Sequence, residues 1–270
     1  PPPPPPLAHP PPPPRPTLNS SSAATDVYKR QERLLQRVIA AHGGYARWCR
    51  ARALRVVVRC GGAALTARFQ RNAYRRYRAV VDTHRPRVRF TPFKGHHGVF
   101  TPERVWIETD QGAVVQARAH PRHFFPSWRR HIVWDRLDVL YFGGYAMWNY
   151  LCTPFLWHSE DIQLTEGDPW QTAGETWQSL QVRFPADWPT HCPEQIFYID
   201  DRGYIRRHDY TARVIGPYAR AVHISDDYRT FDGLVFPTRR RVYPRRRDNR
   251  SLPFPTLIWI DIDHIEVIDD

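Results

Sequence analysis

The sequence predicts an α+β fold built on one large antiparallel sheet of roughly ten or eleven strands with two principal helices. Three observations predict it. Apolar and polar residues alternate at period two through much of the 270-residue chain. The alternating stretches are short and separated by turn sequences such as Gly61-Gly62, Asp200-Asp201-Arg202-Gly203 and Asp232-Gly233. Only two segments shift to helical spacing, one beginning near Leu34 and one near Leu137.

The chain opens on a segment that fits neither pattern. Twelve of the 27 prolines fall in the first 16 residues, a tract with polyproline II character and no means of forming a core. Residues 20–31 then resemble the conceptual translation of a sequencing adapter, with Asp26-Val27-Tyr28-Lys29-Arg30-Gln31 matching at consecutive positions. Residues 1–31 are therefore expected to be a disordered, artefactual extension, and residues 32–270 a single domain. A genuine low-complexity tail is the alternative. Either way the native start is expected to be missing, and the lack of a signal peptide says nothing about compartment.

Removing Arg15, Lys29, Arg30 and Asp26 lowers the net charge only from +12 to +10. Apart from Lys29 and Lys94, the 39 basic residues are all arginine. Lysine also serves phosphate well, so this bias reads as genomic composition more than as a nucleic-acid grip. A content of 41% hydrophobic and 13% aromatic residues suffices for a core. No apolar run reaches the ~18 residues of a membrane-spanning helix. Cys49, Cys60, Cys152 and Cys192 lack zinc spacing and read as ordinary buried residues, with one disulfide left open.

Taken in order, Leu34, Val38, Ala41, Tyr45 and Trp48 form one helical face, broken at Gly43-Gly44, where His42 is placed to bond the terminal carbonyls. Leu54, Val56, Val58 and Cys60 form a strand, and Gly61-Gly62 signals a hairpin into a strand carrying Leu65, Ala67 and Phe69. Further strands are expected over 74–81, 87–93, 104–108 and 114–119. Leu137, Tyr141, Gly144, Trp148 and Leu151 make the second helix, with Asp135 as N-cap and Pro154 beyond its end. Strands return over 177–184, 195–199 and 204–210, and 222–225 leads into the stretch 228–237, where Asp232-Gly233 is a turn and Pro237 punctuates the next strand, which reaches Tyr243. In the last, 257–267, Ile258, Ile260 and Ile262 face one way and Trp259, Asp261 and Asp263 the other.

Three places in this layout carry a family resemblance: the helix end Ala41-His42-Gly43-Gly44 with Trp48, the hairpin over 197–207, and the stretch Asp227-Tyr228-Arg229 with 231–238 leading to Ile260-Asp261-Ile262. Together they resemble the LolA-like group of bacterial lipoprotein-carrier folds over nearly all of residues 32–268. The resemblance implies a half-open β-barrel whose inner face is covered by the two helices. It also implies non-enzymatic binding of an apolar ligand, a lipid or acyl chain, and a place in the periplasm or cell envelope. Without it, the cytoplasm is the default. The aromatic stretch over 134–158 is larger than the carrier pattern, which points to an uncharacterised branch.

That stretch supplies the candidate ligand-binding residues Tyr141, Phe142, Tyr145, Trp148, Phe155 and Trp157, to which Trp106 is added from a strand. Large aromatics bury ~150–250 Å² each, so such a helix is either wrapped by protein or lines an apolar cavity. His42, Gly43, Gly44, Trp48, Asp232, Gly233 and Pro237 are read as structural motif residues. No cofactor or metal is expected. Pro121 prevents a regular helix from presenting His120 and His123 together, and His96-His97 lack an added ligand. His208-Asp209 suggests an oriented base, but neighbours on a strand point to opposite faces. An enzyme with a histidine pocket, with His131, His158 and His208 as first candidates, is one alternative. The other is an anionic or nucleic-acid surface at Arg239, Arg240, Arg241, Arg245, Arg246 and Arg247.

Overall fold

The computed structural model describes residues 22–172 and 174–269; the proline tract lies outside them. These residues form one thirteen-stranded antiparallel sheet that does not close. Its N-terminal half holds β1 (Ala51–Gly61), β2 (Tyr77–Asp82), β3 (Val88–Phe93), β4 (His96–Phe100), β5 (Arg104–Glu108) and β6 (Val114–Ala119). Its C-terminal half holds β7 (Gln163–Thr172), β8 (Glu175–Arg183), β9 (Glu194–Ile199), β10 (Ile205–Thr211), β11 (Arg220–Phe231), β12 (Leu234–Pro244) and β13 (Ile258–Asp269).

Every strand pairs with its sequence neighbour except at two places. β1 pairs with β13 and joins the halves, while β6 and β7 are left as the two free edges. Residues 120–162 must therefore cross the open side of the sheet to connect one edge to the other. This connection contains α4 (Trp128–Ile132) and α5 (Arg136–Cys152), so the topology places the aromatic helix in the concavity. The remaining helices are α1 (Ser22–Ala41), α2 (Tyr45–Arg50) and the single turn α3 (Ala63–Thr66).

Two apolar clusters divide the concave side. Leu34 and Val38 of α1 pack with Leu180, Phe197, Ile199 and Ile205 over the C-terminal half. The larger cluster gathers α5 with the inward residues of β1 to β5, β12 and β13. α1 takes in the adapter-like residues 26–31, and its first buried side chain among those described is Leu34.

The expectation of ten or eleven strands is corrected to thirteen. β4 and β7 lack the alternation that would announce them, since β4 reads His96-His97-Gly98 and β7 is an edge strand interrupted by Gly167 and Pro169. The strand expected at Leu65 to Phe69 is absent. The backbone N–H groups of Ala63 and Ala64 donate to the carbonyls of Thr256 and Leu257, winding the chain into α3. Leu65 is buried there and Phe69 exposed, at φ 61°. Gly61-Gly62 is thus a departure from the sheet and not a hairpin turn.

Asp232-Gly233 is a two-residue hairpin turn between Phe231 and Leu234, both of its residues at positive φ (48° and 85°), as the strand twist requires. Pro237 is buried within β12, opposite Tyr228. Asp135 caps α5, accepting from the N–H groups of Leu137 and Asp138, and Asp138 returns the bond to the Asp135 N–H.

Candidate functional site

α5 is buried nearly all round, which a helix tolerates only when wrapped on every side. Tyr141 packs between Phe100 and Phe125, Phe142 against Trp134, and Tyr145 against Phe142, with ring centroids 5.1–5.7 Å apart. These three candidate residues fill the concavity and leave no large void beside them. Beside them a space of only about 30 Å³ remains, next to Gly143 and Ala146.

The other end of the helix is open. Trp148 lies 5.8 Å from Trp188, and Trp48 of α2 stacks on Phe155 at 4.3 Å with the planes 8° apart. Tyr45 stacks on His158 at 3.9 Å. Together these rings border an open groove of about 450 Å³, with Cys49 and Thr83 on its rim. The Trp148 indole N–H donates to the Asp82 carbonyl, which fixes the ring as a wall of the groove. Volume and lining both fall in the range of small-molecule sites.

Behind the groove runs a buried polar chain. The His191 ring nitrogens bond the hydroxyls of Tyr145 (3.0 Å) and Tyr150 (2.7 Å), and Tyr150 continues to Tyr210 at 3.1 Å. His191 also stacks on Tyr210, with centroids 3.9 Å apart. Burial, assisted by Arg122, pushes the His191 pKa down to about 3, so the ring is neutral. His208 and His223, paired across β10 and β11, are held well below the usual histidine range, first by burial. Arg240 stands beside them, nearly fully buried.

The remaining candidate residues disperse. Trp106 lies on the sheet face away from α5, where its N–H donates to Glu108 at 2.6 Å and Arg87 and Arg104 lie over its ring. Trp157 packs edge-on to Phe197 beneath α1, apart from the groove. The six arginines do not share a surface. Arg239 is exposed, Arg240 points into the core, Arg241 pairs with Asp261 at 2.8 Å, and Arg245 meets the buried Asp209 at 3.4 Å. Strand alternation splits the run 239–241 between two faces, turning Arg240 inward while Arg239, Arg246 and Arg247 stay exposed.

His42 bonds the Val38 carbonyl through Nδ1 at 2.8 Å, the capping role read from the sequence, and burial lowers its pKa to about 4. Gly43 meets Gly233, so the helix end and the β11–β12 turn form one junction. Asp232 fastens it by accepting from the Val267 N–H and, through its carbonyl, from Arg47. His131, His158 and His208 do not converge. His131 bonds the Ile215 carbonyl, His158 lies in the groove, and His208 is inside beside Gln195. Asp209 points away from His208 and takes a bidentate contact from Arg207 at 2.7 Å. Among the described residues no group of three or more histidine, cysteine or acidic side chains could hold a metal ion. All four cysteines are free, and Cys49 is exposed where a buried residue was expected.

A larger concavity, about 980 Å³, lies on the outer face of the C-terminal half. Its lining is polar and of both signs, and four of its charges form the pairs Arg183–Glu194 and Arg245–Asp209. The smaller aromatic groove is the better candidate for an apolar ligand. Sequence reading missed Trp188, His191, Tyr210, His223 and the burial of Arg240. One signal was available: His208 and Tyr210, or Thr238 and Arg240, are polar residues in the inward phase of an alternating strand.

No family model matches the sequence, and no curated protein matches it. Among solved structures, the chain is similar to a LolA superfamily protein from Nitrosomonas europaea, with a TM-score of 0.51 and 10% identity over 88% of this chain and 94% of that one. A domain from Vibrio parahaemolyticus, provisionally named an outer membrane lipoprotein-sorting protein, aligns at TM-score 0.48 and 9% identity over 88% and 92%. The likeness is one of fold: the chain has a LolA-like architecture.

Proposed function

We propose that the protein is a non-enzymatic binder of an apolar ligand, a lipid or acyl chain, taken up at the aromatic mouth of the helix-filled half-barrel and working in the cell envelope. One observation carries the reading: the open groove of about 450 Å³ walled by Trp48, Trp148, Phe155 and Trp188 at the end of α5. Of the candidate ligand-binding residues, Trp148 and Phe155 belong to this wall. Tyr141, Phe142 and Tyr145 fill the concavity further along α5 and, like Trp106 and Trp157, do not line the groove. Each ligand methylene buried there contributes about 0.8 kcal/mol, so a chain of several carbons binds without a covalent anchor. No described helix is long and apolar enough to cross a membrane.

Titration with the uncharged fluorophore N-phenyl-1-naphthylamine tests the reading. Saturable binding is expected for the wild type. Trp188→Ala, which removes a partly buried wall residue outside the main core, is expected to weaken it about tenfold. Unsaturable fluorescence, or an unchanged affinity in the variant, would reject the site.

A further inference from the structure

Arg240 occupies a position where strand alternation calls for an apolar side chain. It shares the inward face of β12 with Phe236 and Val242, and its side chain is 7% exposed. A guanidinium has five N–H donors. Here one Nη donates to the Tyr150 carbonyl at 2.7 Å, the other reaches Ser225 Oγ at 3.4 Å, and Nε has no partner. The Tyr150 ring lies 5.3 Å from the guanidinium carbon. Among the described residues that line the cavity beside it, none is a carboxylate.

Arg240 borders a narrow cavity of about 30 Å³ together with His42, Asn149, Gln195, His208 and Ser225. None of these side chains is acidic, and the nearby histidines are neutral. Both ring nitrogens of His223 and the Asn149 side-chain oxygen are buried without partners. A buried cation with most of its donors unused is strongly unfavourable unless an anion completes it. The cavity has room for a small polar group, a single water needing about 10–15 Å³ of such space. The partition between the cavity and the aromatic groove is the turn after Phe184: Phe184 borders the cavity, and Trp188 borders the groove.

We propose that Arg240 binds a carboxylate, and that the apolar ligand of the groove is an anionic amphiphile whose head group enters this cavity while its chain runs past Phe184 toward Trp188. The fork of Arg240 matches a carboxylate, and hydrogen bonds to a charged acceptor are the stronger kind. The inference rests on the apolar-ligand reading for the chain, and on Arg240 alone for the head group.

Competition against N-phenyl-1-naphthylamine at about pH 7.5, where a fatty acid is ionised, separates the two parts. Dodecanoate is expected to displace the probe from the wild type at about tenfold lower concentration than dodecanol, which has the same chain without charge. That preference should vanish in Arg240→Met and shrink in Arg240→Lys, which keeps a point charge without the fork. Equal potency of the two in the wild type overturns the head-group site while leaving the apolar site standing. So does a preference retained in folded Arg240→Met. If Arg240→Met does not fold, an undiminished preference in Arg240→Lys overturns it equally. Acetate supplies the chainless source. A melting temperature raised by acetate in the wild type but not in Arg240→Met, with no alkyl compound bound, would retain the anion site and dismiss the apolar ligand. Response to neither acetate nor dodecanoate overturns both.

Discussion

At the residue scale, the junction between α1 and the β11–β12 hairpin depends on the absence of a side chain at Gly43. A Cβ there would overlap the Gly233 carbonyl oxygen, and the backbone is at φ +107°. Gly44, at φ +84°, has nothing within 4 Å of its Cβ position. Backbone strain alone costs about 1–3 kcal/mol for alanine at either site. Gly43→Ala should therefore destabilise the fold clearly more than Gly44→Ala, as read by urea midpoints; equal losses would contradict the junction. The glycine pair was legible in sequence as a helix stop, but its partner at Gly233 was not, because local patterning carries no record of a contact across 190 positions.

The buried histidines make a second prediction at this scale. Burial holds His42 neutral to about pH 4 and His191 to about pH 3, against 6.5 for an unfolded histidine. Below pH 6.5 the unfolded chain therefore binds protons that the folded chain refuses. Stability present above that value should fall as pH drops toward 4, by about 1.4 kcal/mol per pH unit for each such histidine. Denaturant midpoints measured across this range check it, and a flat profile would be inconsistent with neutral buried rings.

At the scale of elements, α5 shows why periodicity finds a helix more readily than it finds the helix's surroundings. Its aromatic residues exceed one stripe because every side is covered, and the same composition would suit a helix lining a cavity. Capping was the more informative local signal. Asp135 and Asp138 begin the helix as expected, and both are further held by arginines: Arg118 reaches the two carboxylates at 2.6 and 2.7 Å, and Arg130 reaches Asp138 at 2.8 Å. Asp138 is 2% exposed, and Asp138→Ala leaves two largely buried guanidinium groups to share Asp135, which Arg118 holds at 2.6 Å but Arg130 meets only at 3.9 Å. The loss expected is roughly 3–5 kcal/mol, measured by chemical denaturation, against less than half of that for a surface pair such as Arg183–Glu194. The strands that sequence reading missed, β4 and β7, are those whose side chains do not alternate. Gly98 of β4 has no side chain because Leu140 and Phe93 press against it, and β7 is a polar edge.

At the scale of the whole molecule, the sheet is a continuous meander in which only the β1–β13 pairing joins distant segments. Leaving β6 and β7 unpaired opens the barrel, and the same chain segment that spans this opening supplies the aromatic plug. Antiparallel class, approximate strand count and the LolA-like layout could be read in advance, since they depend on local alternation and turn chemistry. The groove could not be. It forms where α2, the C-terminus of α5 and the 184–190 turn meet, and Trp188 lies in a stretch that no periodicity marks. The inward arginine could not be singled out either, since a run of three arginines on a strand sends its middle member inward only once the strand's phase is known, and that member stands at the inner cavity.

The central claim is that the aromatic mouth holds an apolar ligand, and native mass spectrometry of the purified chain tests it most directly. The account predicts a bound species of lipid or acyl-chain mass, one per chain, released by organic extraction and diminished in Trp188→Ala. A bare polypeptide mass that stays bare after incubation with dodecanoate and with phospholipid vesicles would contradict it.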